Sequence, residues 1–412
     1  ELGLLFGTTV HAAAATTVSF FLGLGTGSAF FGERLKFSKA PLKTYGILEL
    51  TVAASALLFF GLLAAYEALY PGVVAALGGN SSGLLVIKFL LAVVVLFPPA
   101  FCMGGTLPVV SRFLTTGFPP EVLGKRVPIF YGINTMGAAT GALAAGFFLP
   151  RWIGMTGSYW LATGTMVSVG IIAILLSRFQ SAKASESPET GQNEKELTKP
   201  KISREIIGLA FFSGFSTLAL QVLWVRMFAQ TLHNSVYTYA TILVTFLVAL
   251  ALGAWIASWL AKQFANQARQ VLVWLLLIAG ALTLASPSLF HYLGSDQGGY
   301  LGDSENWPEY LRLVFSAAGM TIFPATIALG IIFPFLLKLS EQGVKGDAGR
   351  IVGRLAAFNT AGAVMGSLLA GFFLLDLFGL WPSIRLLGVC YLIFVFAFSF
   401  STGKGEWIVE SF

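Results

Sequence analysis

Charged side chains are scarce in this sequence: Asp, Glu, Lys and Arg make up 11% of its 412 residues, against about a quarter in an ordinary globular chain. A soluble protein of this length would need several polar-coated domains, which 25 basic and 19 acidic residues cannot supply. A water-soluble globule is therefore excluded. Histidine is scarcer still, at three (His11, His233 and His291), and none stands at a metal-ligand spacing from another. No zinc site and no histidine-based catalytic set can be assembled from them. The two cysteines, Cys102 and Cys390, both fall inside apolar runs, so they read as small core hydrophobes and give no disulfide framework. A glycine-rich nucleotide fingerprint behind a strand is also missing.

What the sequence has in abundance is apolar length. Hydrophobic residues make up 56% of the chain, with 46 glycines and 37 phenylalanines. The mean hydropathy is +0.80. A bilayer span takes roughly 20 apolar residues, and about eleven such runs are found, near 8–31, 45–69, 84–116, 127–150, 155–178, 206–230, 234–262, 270–293, 310–340, 350–375 and 380–402. The expected fold class is all-α integral membrane, with the lipid bilayer as principal partner. Pro98, Pro99 and Pro108 in one run, and Pro324 and Pro334 in another, each remove a helical hydrogen bond, so both helices are expected to bend.

Orientation follows from the basic residues. Placing the connections around 32–44, 112–126, 178–205, 262–270 and 338–354 and the tail after 402 on one side gathers 20 of the 25 Lys and Arg there, which makes that side cytoplasmic. The formal charge of +6 needs no nucleic acid to explain it, because no basic stripe is continuous enough to follow a phosphate backbone. The acidic stretch with Asp296, Asp303, Glu305 and Glu309 falls on the outer side. The polar segment 179–205 reads as a solvated linker between two halves, 1–178 and 206–402, with a tail at 403–412.

The two halves repeat each other. Phe97, Pro98, Gly104 and Pro108 recur as Phe323, Pro324, Gly330 and Pro334 at a separation of 226, and Val10, Val18, Phe20, Leu24 and Gly27 match Val236, Val244, Phe246, Leu250 and Gly253. At 225, Asn134 to Phe148 aligns without gaps with Asn359 to Phe373, and ten of fifteen positions are identical. The counterpart of the helix at 206–230 would fall ahead of Glu1, so the natural protein is expected to carry one more helix there. That makes six helices per half and twelve in all, two parallel repeats in the arrangement of the major facilitator fold.

The repeated residues point first to packing. Gly137, Gly141 and Gly146, with their copies Gly362, Gly366 and Gly371, supply small faces on which helices approach closely. Asn134 and Asn359 open these segments, and an amide inside a span needs a partner, either another helix or a solute. Among ionisable groups, Glu49 and Arg226 are the best placed to be internal. Arg226, five residues beyond Gln221, could pair with a carboxylate or meet a solute. His11 aligns with Tyr237 and reads as a packed polar ring. No residue is assigned a catalytic or metal-binding role, and no cofactor is implied.

Phe212-Ser213-Gly214-Phe215, Gln221 to Arg226, the 236–253 helix, Met103-Gly104-Gly105-Thr106-Leu107-Pro108, Gly124-Lys125-Arg126 and Asn134-Thr135 with Gly137-Ala138 together resemble the membrane domain of bacterial fused spermidine-synthase-like proteins. The resemblance covers essentially the whole chain. It implies a place in the bacterial inner membrane with both termini of the native domain cytoplasmic, and a polyamine connection. In that family a soluble aminopropyltransferase-like domain often follows; Phe412 comes about ten residues after the last span, so no active-site residue carries over. Three functions stay open: a non-catalytic multi-pass subunit or anchor in a larger membrane complex, a secondary transporter of polyamine or another small organic solute, and the membrane part of an aminopropyltransferase. The carboxylate inventory favours the first, because a polycation cavity would place several acids at the midplane and only Glu49 qualifies, its repeat partner being Leu275.

Overall fold

A computed structural model describes residues 19–20, 22–28, 30–31, 34, 40–76, 81–115, 133–184, 201–202, 204–231, 236–295, 306–342, 348–400 and 409–410. Almost all of these are helical. After a helical stretch at 22–28 come α1 (Pro41–Ala76), α2 (Ser81–Thr115), and α3 at 133–143, which passes through a π-turn at Ala144–Phe148 into α4 (Leu149–Ala184). Then follow α5 (Arg204–Ala229), α6 (Val236–Gln263), α7 (Ala268–Gly294), α8 (Trp307–Thr321), α9 (Phe323–Gln342) and α10 (Ala348–Leu369). A second π-turn at Ala370–Leu374 leads into α11 (Leu375–Phe378) and α12 (Leu380–Phe400). The one extended feature among the described residues is a two-residue antiparallel pair, Lys201 with Glu410 and Ile202 with Val409.

The chain is an all-α multi-pass membrane protein. Eight helical stretches among the described residues are long and apolar enough to cross a bilayer, or nine if a bent pair counts as one span. Large apolar side chains stand on the outer surface, with Trp152, Trp255 and Leu377 each more than 70% exposed, a surface that suits lipid and would aggregate in water. The hydroxyls of the spans bond to carbonyls of their own helices, as Thr51 does to Ile47 at 2.8 Å and Thr326 to Ile322 at 2.8 Å. Such bonds let Ser and Thr sit at membrane depth without an unmet polar group.

The eleven expected runs map onto this set with three differences. Most of the run at 8–31 lies outside the described residues. The runs 127–150 and 155–178 are joined in one stretch, Ile133–Arg178, of 46 residues. At 1.5 Å per residue it would be about 70 Å long, more than twice a hydrocarbon core, and its backbone breaks at Gly154, where φ is 70° and ψ 174°. The run 310–340 is two helices, α8 and α9, bent by 50° at Ile322. The bend sits just ahead of Pro324, whose ring excludes the carbonyl of Met320 from a straight helix. The matching Phe97-Pro98 acts differently, since α2 runs on as one helix through Pro98, Pro99 and Pro108. The 179–205 segment is helical as far as Ala184 and again from Arg204; its middle, like most of the tail after 402, falls outside the described residues.

Two compact units emerge. The first takes residues 1–123 and 153–196, the second 124–152 and 197–412. The boundary of the repeat and the boundary of the units thus differ at α3, which belongs to the first half in sequence and to the second unit in packing. In the first unit, Tyr159 of α4 donates a hydrogen bond to the Ala56 carbonyl of α1. A Cβ on Gly27 would fall 1.9 Å from the Phe101 carbonyl oxygen of α2, so the two backbones touch there. The second unit has the larger core. Trp224, Phe228, Phe246, Phe290, Phe335 and Tyr391, drawn from α5, α6, α7, α9 and α12, are all at least 96% buried within it.

Conformational features recur with the sequence repeat. Gly27 approaches Phe101 and Gly104 approaches Leu24; 226 residues on, Gly253 approaches Ile327 and Gly330 approaches Leu250. Each π-turn falls inside one copy of the fifteen-residue match or at its end. Beyond each π-turn the helix breaks at a glycine with positive φ, Gly154 at 70° and Gly379 at 77°, again 225 residues apart. These are the only two positive-φ glycines among the described residues, and a side chain at either would be strained.

Candidate functional site

The most closely built part of the molecule is the crossing of α5 and α10. Asn359, Gly362 and Gly366 stand at i, i+3 and i+7, a spacing that puts them along one face of a helix. On the facing helix that role falls to Gly214. A Cβ added to Gly362 would lie 1.9 Å from the Phe211 carbonyl oxygen, one on Gly366 would lie 2.0 Å from that of Phe215, and one on Gly214 would lie 1.9 Å from that of Asn359. Only glycine allows the two backbones to come this close. The Asn359 side chain then reaches across, its Nδ2 donating to the Ala210 carbonyl at 3.0 Å. An amide is thereby satisfied by a neighbouring helix, the first of the two roles its sequence position offered.

Two further polar contacts fasten α5, and neither stands out in the sequence. The Ser216 hydroxyl shares a hydrogen bond with the fully buried Tyr391 hydroxyl of α12, and bonds the Phe212 carbonyl at 2.8 Å. Trp224 Nε1 donates to Ser286 Oγ of α7 at 3.1 Å, and Ser286 in turn donates to the Thr283 carbonyl at 2.9 Å. A Trp or Tyr with its polar atom deep in an apolar run is a signal that some partner exists. Which serine answers it, 62 or 175 residues away, is set by packing alone. The Thr283 hydroxyl, fully buried, is left without a hydrogen-bond partner.

The other expected residues divide by position. Gly146 and Gly371 are buried inside the two π-turns. Gly146 packs against Ala240 of α6, where an added Cβ would come within 2.4 Å of the alanine Cβ. Its neighbour Phe147 meets the rings of Tyr237 and Phe315 at 5.9 and 5.5 Å, and Tyr237 also meets Trp307 edge-on at 4.6 Å. Tyr237, the repeat partner of His11, is thus held in an aromatic cluster, while His11 itself lies outside the described residues. Asn134, Gly137 and Gly141 on α3 are exposed, and nothing lies within 4 Å of a Cβ added to either glycine.

Glu49 is half-buried on α1, where Tyr45, one turn earlier, hydrogen-bonds to its carboxylate. Gln221 and Arg226 are half-buried on α5, with Arg226 in the last turn, where the helix dipole favours a cation. No carboxylate among the described residues pairs with Arg226; an exposed ion pair joins Arg312 to Glu309 of α8 at 3.8 Å. No group of three metal-ligating side chains occurs among the described residues. Of the expected set, therefore, Asn359, Gly362 and Gly366 are drawn together against α5, and Gln221 and Arg226 share that helix. Comparison with family models and with characterised proteins returns no match to this chain.

Proposed function

We propose that this chain is a non-catalytic multi-pass membrane subunit or anchor, a twelve-helix, two-repeat relative of the membrane domain of spermidine-synthase-like proteins, seated in a bacterial inner membrane with both termini of the native domain cytoplasmic. One observation carries the reading: the Asn359 amide, the best-placed polar group of the second repeat, is spent on the Ala210 carbonyl of α5. An amide consumed in holding two helices together is what a scaffold needs and what a solute site cannot spare. Extraction in a mild detergent followed by native mass determination tests this. The chain should migrate with a partner protein, and recovery of a bare monomer alone would sink the proposal.

A second reading, secondary transport, draws on a different observation. Arg226 is half-buried with no carboxylate beside it among the described residues, and the paired π-turns and glycine breaks give both repeats a bendable element at the same place. A lone arginine repels a polycation, so an anionic or zwitterionic organic solute suits it better than a polyamine. Proteoliposome uptake of labelled spermidine and of a small organic acid separates the two. Uptake lost in Arg226→Ala but kept in Glu49→Gln would favour the acid. The aminopropyltransferase reading has only the sequence resemblance behind it.

A further inference from the structure

Pro287 stands inside α7 and has no amide hydrogen, so the Thr283 carbonyl loses its helical donor. The Ser286 hydroxyl takes that place at 2.9 Å, and the indole Nε1–H of Trp224 on α5 donates to Ser286 Oγ at 3.1 Å. The proline turn is thereby tied to α5 through one side chain. All four residues lie in the second unit, and Trp224, Thr283 and Ser286 are no more than 1% exposed. One group is left over. Thr283 Oγ1 has no partner, although the buried Thr321 and Thr326 each donate to the carbonyl four residues back, at 2.7 and 2.8 Å. Thr283 and Ser286 are three residues apart and so are neighbours on one face of α7. Two hydroxyls therefore stand where the Trp224 indole has one proton to give.

We propose that Trp224 is a two-position latch on a hinge at Pro287, its indole N–H passing from Ser286 to Thr283 as the end of α7 beyond the proline swings. The kink supplies the movement, because the turn ahead of a proline lacks the bond that would hold it straight. Ser286 keeps its bond to the Thr283 carbonyl in both positions. The exchange trades one indole hydrogen bond for another and gives the stranded Thr283 hydroxyl its partner, so the two positions lie close enough in free energy for both to be populated. Past the hinge, Phe290 packs on the rings of Phe228 at 4.8 Å and Trp381 at 6.2 Å, and apolar contact has no fixed direction with which to resist a small swing. The latch holds whether the chain anchors or transports, since it concerns α5 and α7 within one unit.

The test uses the full 412-residue chain, grown with isotopically labelled tryptophan and held in nanodiscs, and reads its nine indole N–H signals by nuclear magnetic resonance with relaxation dispersion. Trp224 is assigned as the signal lost in Trp224→Phe or, should that variant not fold, by removing the other tryptophans in turn. Its signal should show exchange on the μs–ms scale. Thr283→Val should abolish that exchange and leave the main shift in place; the change removes an unmet hydroxyl from apolar surroundings, so the variant is expected to fold. Thr283→Ser, which keeps the hydroxyl, should keep the exchange. Ser286→Ala should move the signal to the shift of the former minor state. Exchange absent from the Trp224 signal of the unmutated chain, or undiminished in Thr283→Val, overturns the proposal. So does a Ser286→Ala signal at the shift of an unbonded indole.

Discussion

Two stretches of this molecule, Asn134 to Phe148 and Asn359 to Phe373, share ten of fifteen residues and stand in different surroundings. Along α10 the Asn-Gly-Gly face is covered by α5, with carbonyl oxygens where side chains would otherwise be. Along α3 the same face is open. Near-identical sequence has produced the same helix, the same π-turn and the same glycine break, and has left burial to be decided elsewhere. The lesson is that a glycine stripe encodes the capacity for close approach and does not encode the approach.

The difference has consequences that mutations can break. Gly362→Leu with Gly366→Leu should be the most damaging change, because four side-chain atoms at each position would be forced into the backbone of α5. A loss of about 3 kcal/mol or more, or outright failure to fold, is expected in detergent unfolding titrations. The matched pair Gly137→Leu with Gly141→Leu should cost within about 0.5 kcal/mol, since both positions are exposed. Equal losses in the two pairs would erase the distinction between the faces.

Next in size is Asn359→Leu, which removes the bond to Ala210 and should cost about 0.6–2 kcal/mol, while Asn134→Leu should be neutral in the 412-residue chain. Tyr391→Phe sharpens the comparison from the other side of α5. It deletes one hydroxyl from the Ser216 contact and leaves the ring against Phe212 and Phe394; a loss of about 1 kcal/mol in the same titration is expected. The smallest effect belongs to Arg312→Gln, whose ion pair with Glu309 is exposed and 3.8 Å long. It should shift stability by less than about 0.5 kcal/mol, and that shift should shrink as salt is added.

Much of the architecture was legible because it is written locally. Apolar runs of span length and a proline at a bend act through residues within one or two turns, so the break ahead of Pro324 was foreseeable. α2 carries three prolines and is nevertheless one continuous helix, as neighbouring helices can hold a proline-bearing helix together. Within the site, the place of Asn359 in the repeat marks an amide that needs a partner, either another helix or a solute. Its acceptor is not legible there, since Ala210 lies 149 residues away and offers only a backbone oxygen, which no side-chain pattern marks. Trp224 with Ser286, and Ser216 with Tyr391, escaped for the same reason.

The pair Glu49 and Leu275 shows where the division runs. Both occupy the same repeat position, and the sequence alone set their chemistry and the helix on which each sits. Only the tertiary structure decided that Leu275 would be buried in the core between α5, α6, α7 and α9, while Glu49 would stay half-buried with Tyr45 against it. The helical, membrane-spanning character of the chain is set by the sequence, because hydropathy and backbone preference act over a few residues. Which helix covers which face depended on partners far apart in the chain, and close packing, unlike periodicity, exists only once both surfaces have met.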